Sequence, residues 1–275
     1  MRWVAATLAT IVAGLQIALF AVAQLQLQAA SSAVGIETQA PWLRWVWAVT
    51  WSLPWLVGAG MILARRLRRG TAVIVTAGVL LLTSSFAGLA PLLDGSVRAV
   101  PTGTDALVTA FGGGVLWVLA LVAVACAVAT RPPGPWRADA PGPIGPYVAA
   151  AVLAWFPAAF ETTAFAPPEA MRAFVATQVA ELTHLDAAAN LAAAAAIALV
   201  LFVACRLRPD VGGAVLLTFA VPRLLAELDA VVRVTTEEFV IFTPAGLLGL
   251  VSLAGCVVIG VHWAATEMRV GTPSS

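Results

Sequence analysis

Carboxylates and one arginine lie inside otherwise apolar stretches of this sequence. Glu161 lies in the segment WFPAAFETTAF, and Arg223, Glu227 and Asp229 lie in the segment FAVPRLLAELDAVV. Charge inside a bilayer is costly, so such residues usually face protein or water and often mark a functional site. A carboxyl group in a low dielectric tends to keep its proton, and it can then act as a general acid. These segments therefore predict acid catalysis or proton transfer inside a membrane.

The spacing of Arg223 and Glu227 leaves two interpretations open. The two residues are four positions apart, so they share one face of a helix. In one interpretation they form an internal ion pair that lowers the cost of inserting this segment into a membrane. In the other, Glu227 is an acid whose proton affinity is tuned by the arginine. Pro222 precedes Arg223 and is expected to kink the helix in either case.

Aromatic residues supply candidate faces for a substrate. Tryptophan faces stabilise cations, and the candidates for this role are Trp51, Trp55, Trp155 and Phe160. Trp51 and Trp55 also continue a stripe from Trp47 at four-residue spacing, which equally predicts packing between helices. Gly112-Gly113-Gly114 predicts a place where two helices approach closely.

Metal and cofactor chemistry has little support in this composition. The three cysteines form no CxxC pair, and there are only two histidines. Glu181 and His184 are three positions apart, but no second histidine is predicted at the same membrane depth. The chain has no lysine, so retinal bound as a lysine Schiff base is excluded. We predict neither a metal ion nor another cofactor.

The elements that must position these residues are membrane helices. Hydrophobic residues make up 61% of the chain and charged residues 11%, whereas about 25% of the residues in a soluble domain are charged. A span needs roughly 20 apolar residues, and the segments that qualify are 3–23, 43–64, 71–93, 106–129, 146–166, 185–204, 211–230 and 243–265. We predict an all-α, multi-pass integral protein of the cell membrane, with about eight transmembrane helices in contact with membrane lipids.

Charge placement orients these spans. Ten arginines fall on one side of the predicted membrane and four on the other, which predicts cytoplasmic N- and C-termini. Arg2 and the apolar stretch up to Ala21-Val22-Ala23 also resemble a cleavable signal peptide, although the length of the stretch favours retention. The net charge of +1 and the absence of a basic tract exclude a nucleic-acid partner. The Ala/Val/Arg-rich composition is typical of a high-GC bacterial gene.

The two halves of the chain resemble each other locally. Residues 62–83 align with residues 201–221 when Arg66-Leu67-Arg68 is placed on Arg206-Leu207-Arg208. The similarity reflects either a duplication or chance among Ala/Val/Leu-rich helices. A duplication predicts two parallel four-helix units, 1–135 and 136–275, within one membrane domain.

An acidic pair precedes the last predicted span. Glu237 and Glu238 are followed by Phe239-Val240-Ile241-Phe242. This pattern resembles the start of a helix in membrane-embedded lycopene cyclases of the bacterial two-subunit type. The resemblance implies an acidic pair that takes part in proton-initiated ring closure of a polyene. It covers six residues, and Thr235-Thr236 stand where that family has a proline.

Three functions follow from these patterns. The first is a membrane enzyme that cyclises an apolar, isoprenoid-type substrate, with Arg223 as an electrostatic modulator and the candidate acids Glu161, Glu227, Asp229, Glu237 and Glu238. The acids lie in the predicted outer half, so a neutral lipid suits this site better than a diphosphate does. The second function is a small transporter or permease with proton-relay acids. The third is a non-catalytic subunit bound to a partner membrane chain.

Overall fold

The computed structural model describes residues 1–33, 41–93, 104–130, 199, 209–235 and 244–270. The elements in these residues are α1 (Arg2–Ala33), α2 (Pro41–Leu63), α3 (Leu67–Leu93), α4 (Thr104–Ala129), α5 (Pro209–Thr235) and α6 (Pro244–Val270). The prediction of an all-α chain is confirmed for this part. Six of the predicted spans coincide with these helices. The other two, 146–166 and 185–204, lie outside the described residues except at Leu199, so the predicted count of eight is not established by the structure.

One helix is long and apolar enough to cross a membrane, within the part of the chain that the structure describes. It covers Arg2–Val22 with a mean hydropathy of 2.1. Shorter apolar helical stretches are Ala48–Leu63, Gly114–Ala129, Val211–Leu225 and Gly249–Ala265. A signal sequence meets the same criteria as α1, so both interpretations of the N-terminal segment remain compatible with the structure.

The chain divides into two compact units. The first unit comprises Met1–Gly78 and Ala99–Pro132, and the second comprises Val79–Arg98 and Pro133–Ser275. In the first unit α1 packs against both α2 and α4, and in the second unit α5 packs against α6. The predicted boundary at residue 135 and the duplication stay predictions.

Small side chains fill the interior, and large apolar side chains cover much of the outside. The buried alanines of the first unit are Ala5, Ala6, Ala9, Ala13, Ala48, Ala59, Ala77, Ala120, Ala123 and Ala127. By contrast, Val118 of α4 is 61% exposed, and Val251 and Val258 of α6 are each 68% exposed. Small residues at helix contacts let backbones approach closely, as is typical of helices packed in lipid.

Glycines mark the closest helix contacts of the first unit. A Cβ atom built on Gly70 of α3 would lie 2.9 Å from the carbonyl oxygen of Gly58 and 2.9 Å from the amide nitrogen of Ile62, both in α2. A Cβ atom on Gly78 would lie 2.7 Å from Cγ2 of Val124 in α4. Near the same end of α3, the hydroxyl of Thr71 donates to the carbonyl oxygen of Ala127 at 3.0 Å. The first half of α3 therefore touches both α2 and α4.

The connection between α2 and α3 is a tight turn. The amide of Arg66 donates to the carbonyl oxygen of Met61 at 2.8 Å, and the amide of Arg65 donates to that of Ile62 at 3.1 Å. These two bonds form a Schellman motif, whose left-handed position is usually glycine. Here that position is Arg65, with φ 62°. A non-glycine residue in this conformation costs on the order of 1 kcal/mol.

Candidate functional site

Helix α5 carries three of the candidate site residues. Pro209 is its first residue, a position where the fixed φ of proline suits a helix and no backbone hydrogen bond is lost. The helix continues through Pro222 to Thr235 without interruption. Arg223, Glu227 and Asp229 therefore all lie on one continuous helix.

A glycine contact fixes α5 against α6. A Cβ atom built on Gly213 would lie 2.6 Å from the amide nitrogen of Ala264 and 2.8 Å from the carbonyl oxygen of Gly260. A Cβ atom on Gly260 would in turn meet Cγ of Leu217 at 2.9 Å. The two backbones are thus in direct contact. Arg223 lies about 15 Å further along α5, at 1.5 Å per residue.

Arg223 lies at the border between the buried and exposed faces of α5. Phe219 and Ala220, which precede it, are almost completely buried, and Leu225, which follows, is 40% exposed. Arg223 itself is half-buried. An arginine at such a border can keep its charged head in a polar or charged environment while its aliphatic stem covers apolar surface.

The two acids of α5 occupy different faces. Glu227 lies one turn after Arg223 and shares its face, whereas Asp229 is six residues away from Arg223 and lies on another face. The side chains of both acids lie outside the described residues. The helix backbone therefore keeps Arg223 and Glu227 on one face, as the sequence predicts, and it places Asp229 on another face.

Five other predicted site residues lie outside the part of the chain that the structure describes. They are Trp155, Phe160, Glu161, Glu237 and Glu238. Their roles stay predictions.

Two candidate aromatic residues belong to α2 in the first unit. Trp51 is half-buried and Trp55 is 1% exposed. A Cβ atom on Gly78 would lie 3.8 Å from Cη2 of Trp55, so this indole reaches α3. That position favours the packing interpretation for Trp55, and a substrate-binding role for either tryptophan stays a prediction.

Comparison of the chain with models of protein families, with curated proteins and with solved structures gave no match. The function therefore has to be inferred from the residues of this chain. Among the residues that the structure describes, no group of three or more His, Cys, Asp or Glu side chains could hold a metal ion.

One polar side chain, Gln16 of α1, is not among the residues that the sequence singles out. Its Oε1 atom is buried and has no hydrogen-bond partner among the residues that the structure describes. The buried hydroxyls of Ser52 and Thr218 behave differently, because each donates to the carbonyl oxygen four residues earlier, at 2.9 and 2.7 Å. A buried acceptor without a donor costs about 1–3 kcal/mol. The sequence offers one sign of this residue, a polar glutamine between the apolar residues Leu15 and Ile17. The burial of its side chain depends on helix packing, so the sequence alone does not predict it.

Proposed function

We propose that this chain is a multi-pass membrane protein with both termini in the cytoplasm. The large apolar side chains on the outside of α4 and α6 support this proposal, because a water-soluble chain rarely exposes so many of them together. Helix length supports it as well. The six helices have 23 to 32 residues, and about 20 residues suffice to cross the hydrocarbon core.

Reporter fusions test this arrangement. A fluorescent protein fused after Arg66, in the α2–α3 turn, is expected to fluoresce in the cytoplasm, and alkaline phosphatase fused there is expected to be inactive. Fusions after Arg98 should give the opposite pair of results. Phosphatase activity at Arg66, or fluorescence at both positions, would contradict the proposed orientation.

We further propose that the second unit contains an acid catalyst for an apolar, isoprenoid-type substrate. The observation that carries this proposal is the half-buried Arg223 on the uninterrupted helix α5, one turn after buried Phe219 and one turn before Glu227. Helical spacing puts Arg223 and Glu227 on one face of α5, and the turn before Arg223 carries the buried Phe219. We expect an acid on this face to act on a substrate without polar groups, because apolar surroundings favour the protonated carboxyl group that a general acid needs.

The proposed reaction is an isomerisation. The carboxyl group of Glu227 donates its proton to one carbon of a carbon–carbon double bond, which leaves a cation on the other carbon. The π electrons of a second double bond attack that cation and form the ring bond. Loss of a neighbouring C–H proton then makes a new double bond. One proton is added and one is lost, so the reaction needs neither an oxidant nor another cofactor.

Transport is the second candidate function. The similarity between residues 62–83 and 201–221 favours it, because duplicated halves are common in transporters. Many transporter sites, however, lie where a helix is broken near the middle of the membrane. The continuity of α5 through Pro222 supports the enzyme over the transporter.

A product assay separates these functions. Host cells with and without the chain are fed linear polyprenyl compounds, and lipid extracts of cells and medium are analysed by mass spectrometry. The proposed enzyme gives a new species of unchanged mass and altered retention. Unchanged chemistry with an altered distribution between cells and medium indicates transport, and no difference contradicts the cyclase proposal for the compounds tested.

A further inference from the structure

Four arginines surround the turn between α2 and α3. Arg65, Arg66 and Arg68 are exposed and Arg69 is half-buried, and we call this group the arginine turn. Arg68 and Arg69 lie in the first turn of α3, which contains no acidic residue. The first turn of a helix is its positive end and favours negative charge. Arg68 and Arg69 therefore lie where the backbone of α3 contributes positive potential, whereas Arg65 and Arg66 follow the negative end of α2.

The backbone of the arginine turn is held in a defined shape. The Schellman hydrogen bonds of Arg65 and Arg66 close the end of α2. The contact of Gly70 with Gly58 and Ile62 then ties the start of α3 to α2. Arg65 occupies the left-handed position that glycine would fill with less strain. An observed strained residue is a reason to look for a function, and Arg65 is an exposed residue of the turn.

The surroundings of the turn indicate where that anion lies. Leu63, two residues before Arg65, is 41% exposed, and the turn joins two long apolar helices. Only seven residues separate α1 from α2, so these packed helices are expected to run antiparallel. That arrangement puts Trp3, 65% exposed with Arg2 over its ring at 5.9 Å, at the same end as the turn. Tryptophan is enriched at the membrane interface.

We propose that the arginine turn binds the headgroup phosphate of an anionic phospholipid. A guanidinium offers paired N–H donors that match two phosphate oxygens, and clusters of basic residues beside a membrane helix suit anionic headgroups. The proposal uses the membrane position of the chain and is independent of the proposed cyclase activity. It assigns a lipid site to the first unit.

The test measures binding of a fluorescent phosphatidylglycerol to the purified full-length chain in detergent. Replacing two arginines together, as Arg65→Gly with Arg66→Gln, is expected to weaken binding about 20- to 30-fold. The single change Arg65→Gly is expected to weaken binding and, at the same time, to raise the melting temperature, because glycine accepts φ 62° without strain. A rise in stability combined with a loss of binding separates recognition from misfolding.

Competition identifies the source of the phosphate. Unlabelled phosphatidylglycerol is expected to displace the probe, whereas phosphatidylcholine and inorganic phosphate at the same concentration should not. Equal displacement by phosphatidylcholine would overturn the requirement for an anionic lipid. Equal displacement by inorganic phosphate would overturn the lipid as ligand, and wild-type affinity in the double variant would overturn the site. Loss of cyclisation in an α5 variant with unchanged lipid binding would leave this proposal intact.

Discussion

Replacing Glu227 with glutamine is expected to abolish cyclised product while the amount of chain in the membrane stays unchanged. Glutamine has nearly the same shape as glutamate but carries no proton that it can donate to an alkene. A positioned general acid contributes about 10²- to 10⁴-fold to a rate, so product formation should fall by at least about 100-fold. The measurement is product per amount of folded protein, from membranes that contain each variant.

Two controls make the Glu227 result specific. Glu227→Asp keeps an acid on the same helix face and should retain part of the activity. Leu228→Ala changes the adjacent side chain, which is 45% exposed, and should leave activity unchanged. A lower protein level in Glu227→Gln, with normal product per molecule, would show that Arg223 and Glu227 form only a structural ion pair. Full activity would reject Glu227 as the acid and leave Glu161 as the next candidate.

Replacing Gly213 with alanine should strongly destabilise the second unit. The new methyl group would lie 2.6 Å from the amide nitrogen of Ala264 and 2.8 Å from the carbonyl oxygen of Gly260, and neither backbone atom can rotate away. Helix α5 must therefore move off α6. Overpacking of this kind costs about 1–3 kcal/mol, and thermal unfolding in detergent should show a melting temperature lower by several degrees.

Gly114→Ala is the matched control for the Gly213 prediction. A Cβ atom built on Gly114 meets no atom of the described residues within 4 Å, and alanine is favoured over glycine inside a helix by about 1 kcal/mol. Its melting temperature should be unchanged or slightly higher. A melting temperature for Gly213→Ala equal to that of the unsubstituted chain would show that the close contact between α5 and α6 is wrong.

The sequence predicted where helices form better than where they begin and end. The predicted span 211–230 lies inside α5, and 243–265 largely coincides with α6. Helix α1, however, extends beyond residue 23 to Ala33, through the segment QLQLQAASSA, and α3 begins at Leu67, ahead of the predicted first residue 71. Hydropathy identifies the part of a helix that suits lipid. Polar residues with good helix propensity can extend that helix without any hydropathy signal.

Helix contacts were harder to predict than helices. Gly112-Gly113-Gly114 predicted a close approach, but no atom of the described residues lies within 4 Å of a Cβ atom built on Gly114. The close contacts in the described side chains occur instead at Gly58, Gly70, Gly78, Gly213 and Gly260. A glycine allows close approach only when its helix face meets a neighbour. Residue types can be read from the sequence, whereas the choice of face depends on how the helices pack.

In the candidate site, too, the sequence predicts features that depend on helix geometry but not features that depend on packing between helices. Helical spacing alone places Arg223 and Glu227 on one face, because that relation depends only on two residues four positions apart in one helix. The burial of Trp55 and of the Gln16 Oε1 atom arises from packing against other helices. Such features depend on tertiary packing, so residue spacing could not predict them.

The most direct measurement of acid-initiated cyclisation is the deuterium content of product from a single turnover. Membranes with the chain in excess over a linear polyprenyl substrate are equilibrated in D₂O and then extracted for mass spectrometry. The proposed reaction adds one deuteron from the carboxyl group and removes one proton from the substrate. The predicted product therefore carries a single deuterium and has otherwise the composition of the substrate. A cyclic product without deuterium, or no product from membranes that contain the chain, would contradict the proposed chemistry.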